Sequence, residues 1–277
     1  EELIDWQSRQ DELLGFLEEL RARDFIVTPL MDKDGEGAVF PLDEIDPFTF
    51  FGSFNRQITD QNRIANLLEM KRFFQLESEL PSDFMGIPVL SNMSSWFISY
   101  QGKRKPGDVD RLWKIFELAL REKEPLQSEA FRYAFDEALE VRKTNVNLTM
   151  GLFWIRPESF LNIDQVNRSY LDIKLPPKGI SAKFYIDTIA AIRKEGKPFP
   201  EVSYAAWLAG AEKYKATADT DDETKDQANY WLVGAYWGNQ EPADQTQRFL
   251  DEGIWENGYE DRLLDEVNSM SVGDMIA

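Results

Sequence analysis

The 277-residue sequence contains neither cysteine nor histidine. Without thiols there are no disulfides and no thiolate nucleophiles. Without imidazole there is no Ser-His-Asp triad, no histidine general base, and none of the zinc sites that need sulfur or imidazole. Positive charge is also scarce, with 31 Lys and Arg against 50 Asp and Glu, a net charge of −19 and a pI near 4.5. Such a chain does not coat nucleic acid or an anionic membrane with uniform positive charge, so any DNA contact has to be local. No stretch approaches the ~20 apolar residues of a membrane helix. The N-terminal EELIDWQSRQDELLGFLEEL lacks the apolar core of a signal peptide, so a cytoplasmic protein without membrane contact is expected.

Catalytic motifs are missing as well. No G-x-x-x-x-G-K-[ST] string occurs; Gly102-Lys103 and Gly196-Lys197 lack the leading glycine spacing and the following hydroxyl, which excludes a P-loop. Two Asp…Glu-x-Lys sets, Asp60/Glu69/Lys71 and Asp187/Glu195/Lys197, fall on expected helices, whereas a shared metal needs carboxylates converging from a rigid hairpin. The expectation is therefore a non-enzyme with no catalytic residues, no metal ligands and no cofactor of its own.

What is present is a chain with 43% hydrophobic residues, enough for a real core and two or three domains. Trp6, Leu13, Leu17 and Leu20 share one helical face and predict a helix over 3–22. Thr59 or Asp60 caps a second helix, which Pro81 bars from continuing. Asp108 caps 109–120, Ser128 opens a helix to 139, and Ser181 caps 182–195, where Gly196 and Pro198 stop it. Residues 203–214 add one more. SWFISY (95–100), GLFWI (151–155) and YWLVGAYW (230–237) are aromatic and β-branched, and read as strands. ATADTDDETKDQA has five acids and no large apolar residue, and reads as a linker.

The expected fold class is α+β, helix-dominated. A helical N-terminal domain spans 1–140, a mixed segment with short strands packed on it spans 141–215, an acidic linker spans 216–228, and a partial β-rich unit spans 229–277. The missing initiator Met, and an end at Asp274-Met275-Ile276-Ala277 inside a strand-like run, point to a piece of a longer polypeptide.

Charge and aromatic residues supply the candidate sites. Residues 141–200 carry 10 basic and 5 acidic side chains and form the net-basic stretch, while 1–140 and 216–277 are strongly acidic. Arg156, Arg168 and Lys178 in that stretch, and Arg104 in the Lys103-Arg104-Lys105 turn, are candidates for phosphate contacts; the alternative is a solvated surface. Trp231, Tyr236, Trp237, Trp255 and Tyr259 crowd one small acidic segment. Flat rings of this kind can sandwich a base taken out of its stack, with Asn257 reading its edge, or they can fill a barrel.

Several strings together resemble a known family. IDPFTFFGSFNR (45–56), DFMGIPVLSNMSSWF (83–97), LWKIFELAL (112–120) and LTMGLFWIRPESFLNIDQVNR (148–168) resemble the N-terminal region of McrB-like AAA+ ATPases, the motor subunits of modification-dependent (type IV) restriction systems. YWLVGAYWG (230–238), DQTQRFLDEGIWENGY (244–259) and VGDMIA (272–277) resemble the start of the small β-rich domain before the motor. The resemblance implies the specificity and assembly end of a bacterial defence ATPase. Its partners would be double-stranded DNA, in some cases with a modified base, a motor-domain oligomer and a separate nuclease subunit. Nucleotide and Mg would be confined to the downstream motor. On this reading the loop around Asn55-Arg56 and Asn92 to Trp96 joins the aromatic cluster as a candidate for base recognition. The competing reading is a protein-interaction or assembly domain of the same ATPase with no DNA contact, which the net charge favours.

Overall fold

The computed structural model describes residues 2–92 and 95–221 and, beyond them, the backbone of 230–231, 236–237, 243–244 and 275–276. The described residues are α+β and helix-dominated. Their elements are α1 (Gln10–Ala22), β1 (Met31–Lys33), β2 (Val39–Pro41), α2 (Pro47–Gly52), α3 (Asp60–Phe73), α4 (Asp108–Arg121), α5 (Glu129–Leu139), α6 (Val146–Ile155), α7 (Gln165–Tyr170), α8 (Ala182–Arg193) and α9 (Phe199–Asp221), followed by β3 (Tyr230–Trp231), β4 (Tyr236–Trp237), β5 (Ala243–Asp244) and β6 (Met275–Ile276). The chain divides into two compact units, 1–212 and 213–277.

In the first unit one apolar core runs from Leu3 to Val202, and helices on both sides of residue 140 share it. The capping chemistry works as the sequence predicts at three helix starts. Thr59 Oγ1 accepts from Asn62 N at 3.2 Å, Ser128 Oγ from Phe131 N at 3.3 Å and Ser181 Oγ from Phe184 N at 3.2 Å. The α4 start differs: Gly107, at φ +82, occupies the cap, and Asp108 is the first helical residue. The first helix starts at Gln10, later than expected, after a 3-10 turn at Gln7–Arg9. The hairpin β1–β2 pairs Asp32 with Phe40 antiparallel around the Asp- and Gly-rich loop.

Two expected strands are not strands. GLFWI lies inside α6, where Leu148, Met150, Leu152 and Phe153 are all buried. A segment apolar on every face carries no period that distinguishes strand from helix. Gly151 lets α6 approach α2, since a Cβ there would lie 2.5 Å from the Phe48 ring. SWFISY is irregular and buried up to Ser99; side chains hold it in place of a ladder, with Phe97 N donating to Thr49 Oγ1 at 2.8 Å. Residues 141–221 accordingly hold α6 to α9 and, among the described residues, none of the short strands expected there. The backbone of α9 runs to Asp221, so the first six residues of the expected linker are helical. No glycine or proline lies between Gly210 and Asp221 to stop it earlier.

In the second unit, β3 pairs with β6 in parallel and β4 with β5 antiparallel. The two ends of YWLVGAYW therefore belong to different ladders.

Candidate functional site

Three of the strings quoted above interlock. Leu90 N donates to Asn55 O at 2.8 Å and Gln57 N to Leu90 O at 3.0 Å, which bridges 45–56 to 83–97. Trp154 on α6 donates from Nε1 to Pro88 O at 2.9 Å, and Thr149 Oγ1 accepts from Ile163 N at 3.1 Å. The result is a rigidly held loop, Phe84 to Val89, lying along α9. Gly86 makes this possible: its φ is +77, and a Cβ would lie 2.7 Å from Tyr204 Cα.

Between this loop, the start of α3, α7 and α9 lies a cleft of about 640 Å³. Met85, Ile87, Val89, Val166 and Trp207 line it and are each more than a third exposed. Beneath this apolar rim the lining turns polar. Asp164 caps α7, accepting from Asn167 N at 2.9 Å, and burial pushes its carboxyl above the ordinary aspartate range. One end of the Asn162 amide lies 2.8 Å from Asn167 Nδ2 and 3.1 Å from Asp164 Oδ2; the other lies 3.0 Å from Ser203 Oγ. Ser203 donates to Gly86 O at 2.7 Å. Asn167 is only 2% exposed, and its Oδ1 has no partner among the described residues.

Two arginines line the cleft, and the fold occupies their donors. The Arg63 guanidinium lies 3.6 Å over the Phe84 ring and donates to Phe54 O at 3.1 Å and Asn55 Oδ1 at 2.8 Å. Its burial lowers its pKa to about 10, an effect that nearby Asp60 opposes. Arg56 donates to Val27 O and to Asn92 Oδ1, each at 2.9 Å, and its burial also lowers its pKa. Asn92 Nδ2 in turn donates to Gln57 O.

The structure brings together Asn55, Arg56 and Asn92 from the predicted set, as a latch between chain segments. Trp96 is buried, and its Nε1 donates to Thr28 Oγ1 and Pro29 O. Of the predicted phosphate contacts, Arg104 is buried in ion pairs with Asp32 and Glu44. Arg156 closes the end of α4, donating to Ala119 O at 3.0 Å and Glu122 O at 2.7 Å. Half-buried Arg168 donates to Asp164 O at 3.2 Å, and Lys178 is exposed. Trp231, Tyr236 and Trp237 fall on β3 and β4, where the backbone is described; Trp255, Asn257 and Tyr259 lie outside the described residues.

Sequence reasoning missed Phe84, Asp164, Asn167, Ser203 and Trp207 as site residues. The available signals were Asp164 as an N-cap in NIDQVNR, and a tryptophan on an outer face of α9. Among the described residues no three carboxylates cluster as a metal would require, and no helix is long and apolar enough to cross a membrane.

A family model described as Domain of unknown function (DUF8425) matches residues 1–209, about three quarters of the chain, and the chain belongs to that family. No curated protein and no solved structure matches it.

Proposed function

We propose that this DUF8425 chain is a non-catalytic recognition and assembly region of a McrB-like restriction ATPase, and that residues 1–212 act by holding a protein partner in the cleft over Asn167. The observation that carries this reading is the cleft itself: five apolar side chains stay exposed around a polar floor with one unmatched amide oxygen. Contiguous exposed apolar surface of this kind marks interaction sites, whereas scattered exposed apolar residues do not. The charge supports it too. Residues 1–212 carry 26 basic and 35 acidic side chains, net −9, and Arg56, Arg63, Arg104 and Arg156 are all engaged inside the fold.

DNA recognition is the second reading. It is favoured by the exposed Lys174 and Lys178, which with half-buried Arg168 leave some cationic surface on 168–178. Two measurements separate the readings. Sedimentation of the chain with and without a McrB-like motor ring should show a complex that Trp207→Ala weakens. Titration of modified and unmodified duplexes across a salt series should show no binding that depends on sequence or modification. Tight duplex binding with a steep salt slope and no effect of Trp207→Ala would replace the assembly reading with the DNA reading.

A further inference from the structure

The chemistry of the cleft floor narrows the partner, on the premise that the cleft binds protein at all. Most donors of its arginines and of Ser203 are engaged within the fold, Arg63 Nη1 having a 3.9 Å contact with Asp60. Arg56 and Arg63 donate to backbone and amide oxygens, and the flat face of Arg63 lies on Phe84. Ser203 gives its proton to Gly86 O, and Asn167 Nδ2 reaches Ser203 Oγ at 3.2 Å. What remains unmatched is acceptor capacity. Among the described residues Asn167 Oδ1 has no partner, although the residue is 2% exposed. The Asp164 carboxylate accepts from the Asn167 amides, with one end of the Asn162 amide 3.1 Å from Oδ2, and among the described residues it forms no ion pair, Arg168 acting on it from farther away; the exposed Asp60 has, among the described residues, Arg63 at 3.9 Å. A buried acceptor left unpaired is costly, so a ligand that brings N–H groups gains more here than one that brings oxygens.

The rim makes the complementary demand. Met85, Ile87, Val89 and Val166 offer apolar contact, and Trp207, stacked at 19° on Tyr204, offers a flat ring beside the acceptors. Such a ring face also attracts a cation. The net charge of −9 on residues 1–212 repels a polyanion and attracts a basic segment. We infer that the cleft docks a basic, apolar peptide segment of a partner protein, with a lysine or arginine side chain entering toward Asp164 and Asn167 and its apolar neighbours lying on the rim formed by Met85, Ile87, Val89, Val166 and Trp207.

The test uses the whole chain and a phage-displayed library of random 12-residue peptides. Clones are counter-selected on the Trp207→Ala variant, so that only cleft-dependent sequences survive. The expected result is a consensus of lysine or arginine flanked by apolar positions. A synthetic peptide of that consensus should bind at 300 mM salt and lose at least tenfold in affinity on Asp164→Asn, with the thermal midpoint unchanged. Asparagine keeps the α7 cap, and Val166→Asp provides an independent rim variant should Asp164→Asn fail to fold. A cleft-dependent consensus that is neutral or acidic overturns the cationic anchor and leaves the protein-binding reading standing. Recovery of no cleft-dependent peptide, or equal binding of the consensus to wild type and Trp207→Ala, overturns both.

Discussion

Ser203 Oγ donates to the Gly86 carbonyl at 2.7 Å and ties the loop over the cleft to α9 across 117 positions of sequence. The same glycine sits at φ +77 against the Tyr204 backbone, so the loop and the helix are fitted atom to atom. Gly86→Ala combines a left-handed backbone with a steric clash, and should lower stability by about 2–4 kcal/mol. Gly179→Ala, also left-handed at φ +86 but facing open space, should lower it by only about 1–2 kcal/mol. Urea denaturation of the two variants side by side isolates the packing contribution.

Asp46 supplies a pH-dependent stability contribution. It is fully buried, its Oδ1 accepts from Phe48 N and Thr49 N at 2.9 Å, and its Oδ2 has no partner among the described residues. Burial pushes its carboxyl up to about 6 from an ordinary value of 3.8. The folded protein therefore holds this proton over a range where the unfolded chain has released it. The stabilisation is complete below about pH 4 and is lost as pH rises through about 6, a swing on the order of 3 kcal/mol. Asp46→Asn keeps the capping oxygen and removes the titration. Its stability relative to wild type should rise between pH 4 and pH 7 in urea titrations; a constant difference would show that Asp46 is ionised throughout.

Arg104 and Asp32 form a buried pair that holds the β1–β2 hairpin onto residues 101–104, where Asp32 Oδ1 also accepts from Gln101 N at 2.8 Å. Arg104→Met leaves the carboxylate buried without its cation and should lower stability by about 3–5 kcal/mol. Adding Asp32→Asn should restore part of that loss, giving a positive coupling in a double-mutant cycle. A stable Arg104→Met protein with weakened duplex binding would return Arg104 to the phosphate contact its sequence context suggests.

These residues also show what could be read from the sequence. Ser128, Ser181 and Thr59 were legible as caps because a cap is a local bargain between one hydroxyl and an amide two or three residues on. α6 was not, because its burial on all sides erases the period that would have marked it as a helix. The surplus of positive charge over 141–200 was legible, but the partners of its arginines were not: Arg156 closes α4 from 34 and 37 positions away. The cleft was hidden for the same reason. α7 has six residues, too few for any pattern, and Asn167 meets Ser203, and Ser203 meets Gly86, only through the tertiary fold. Three of the quoted strings interlock to set the loop over the cleft, but no single string marked the opening itself.

Trp207 and Val166 should carry partner affinity while contributing little to stability, since both are substantially exposed at the rim. Trp207→Ala and Val166→Asp should each weaken the sedimenting complex at least tenfold while shifting the urea midpoint by less than about 0.5 kcal/mol equivalent. A large loss of stability in either variant would make the rim part of the core and remove it as a docking surface.

The most direct measurement is hydrogen–deuterium exchange on the chain alone and in mixture with the McrB-like motor ring proposed as its partner, read over residues 84–89 and 203–208. A cleft occupied by a protein partner predicts slower exchange in both segments on assembly, with 168–178 unchanged. Unaltered exchange around the cleft, together with protection of 168–178 when duplex DNA is added, would contradict it.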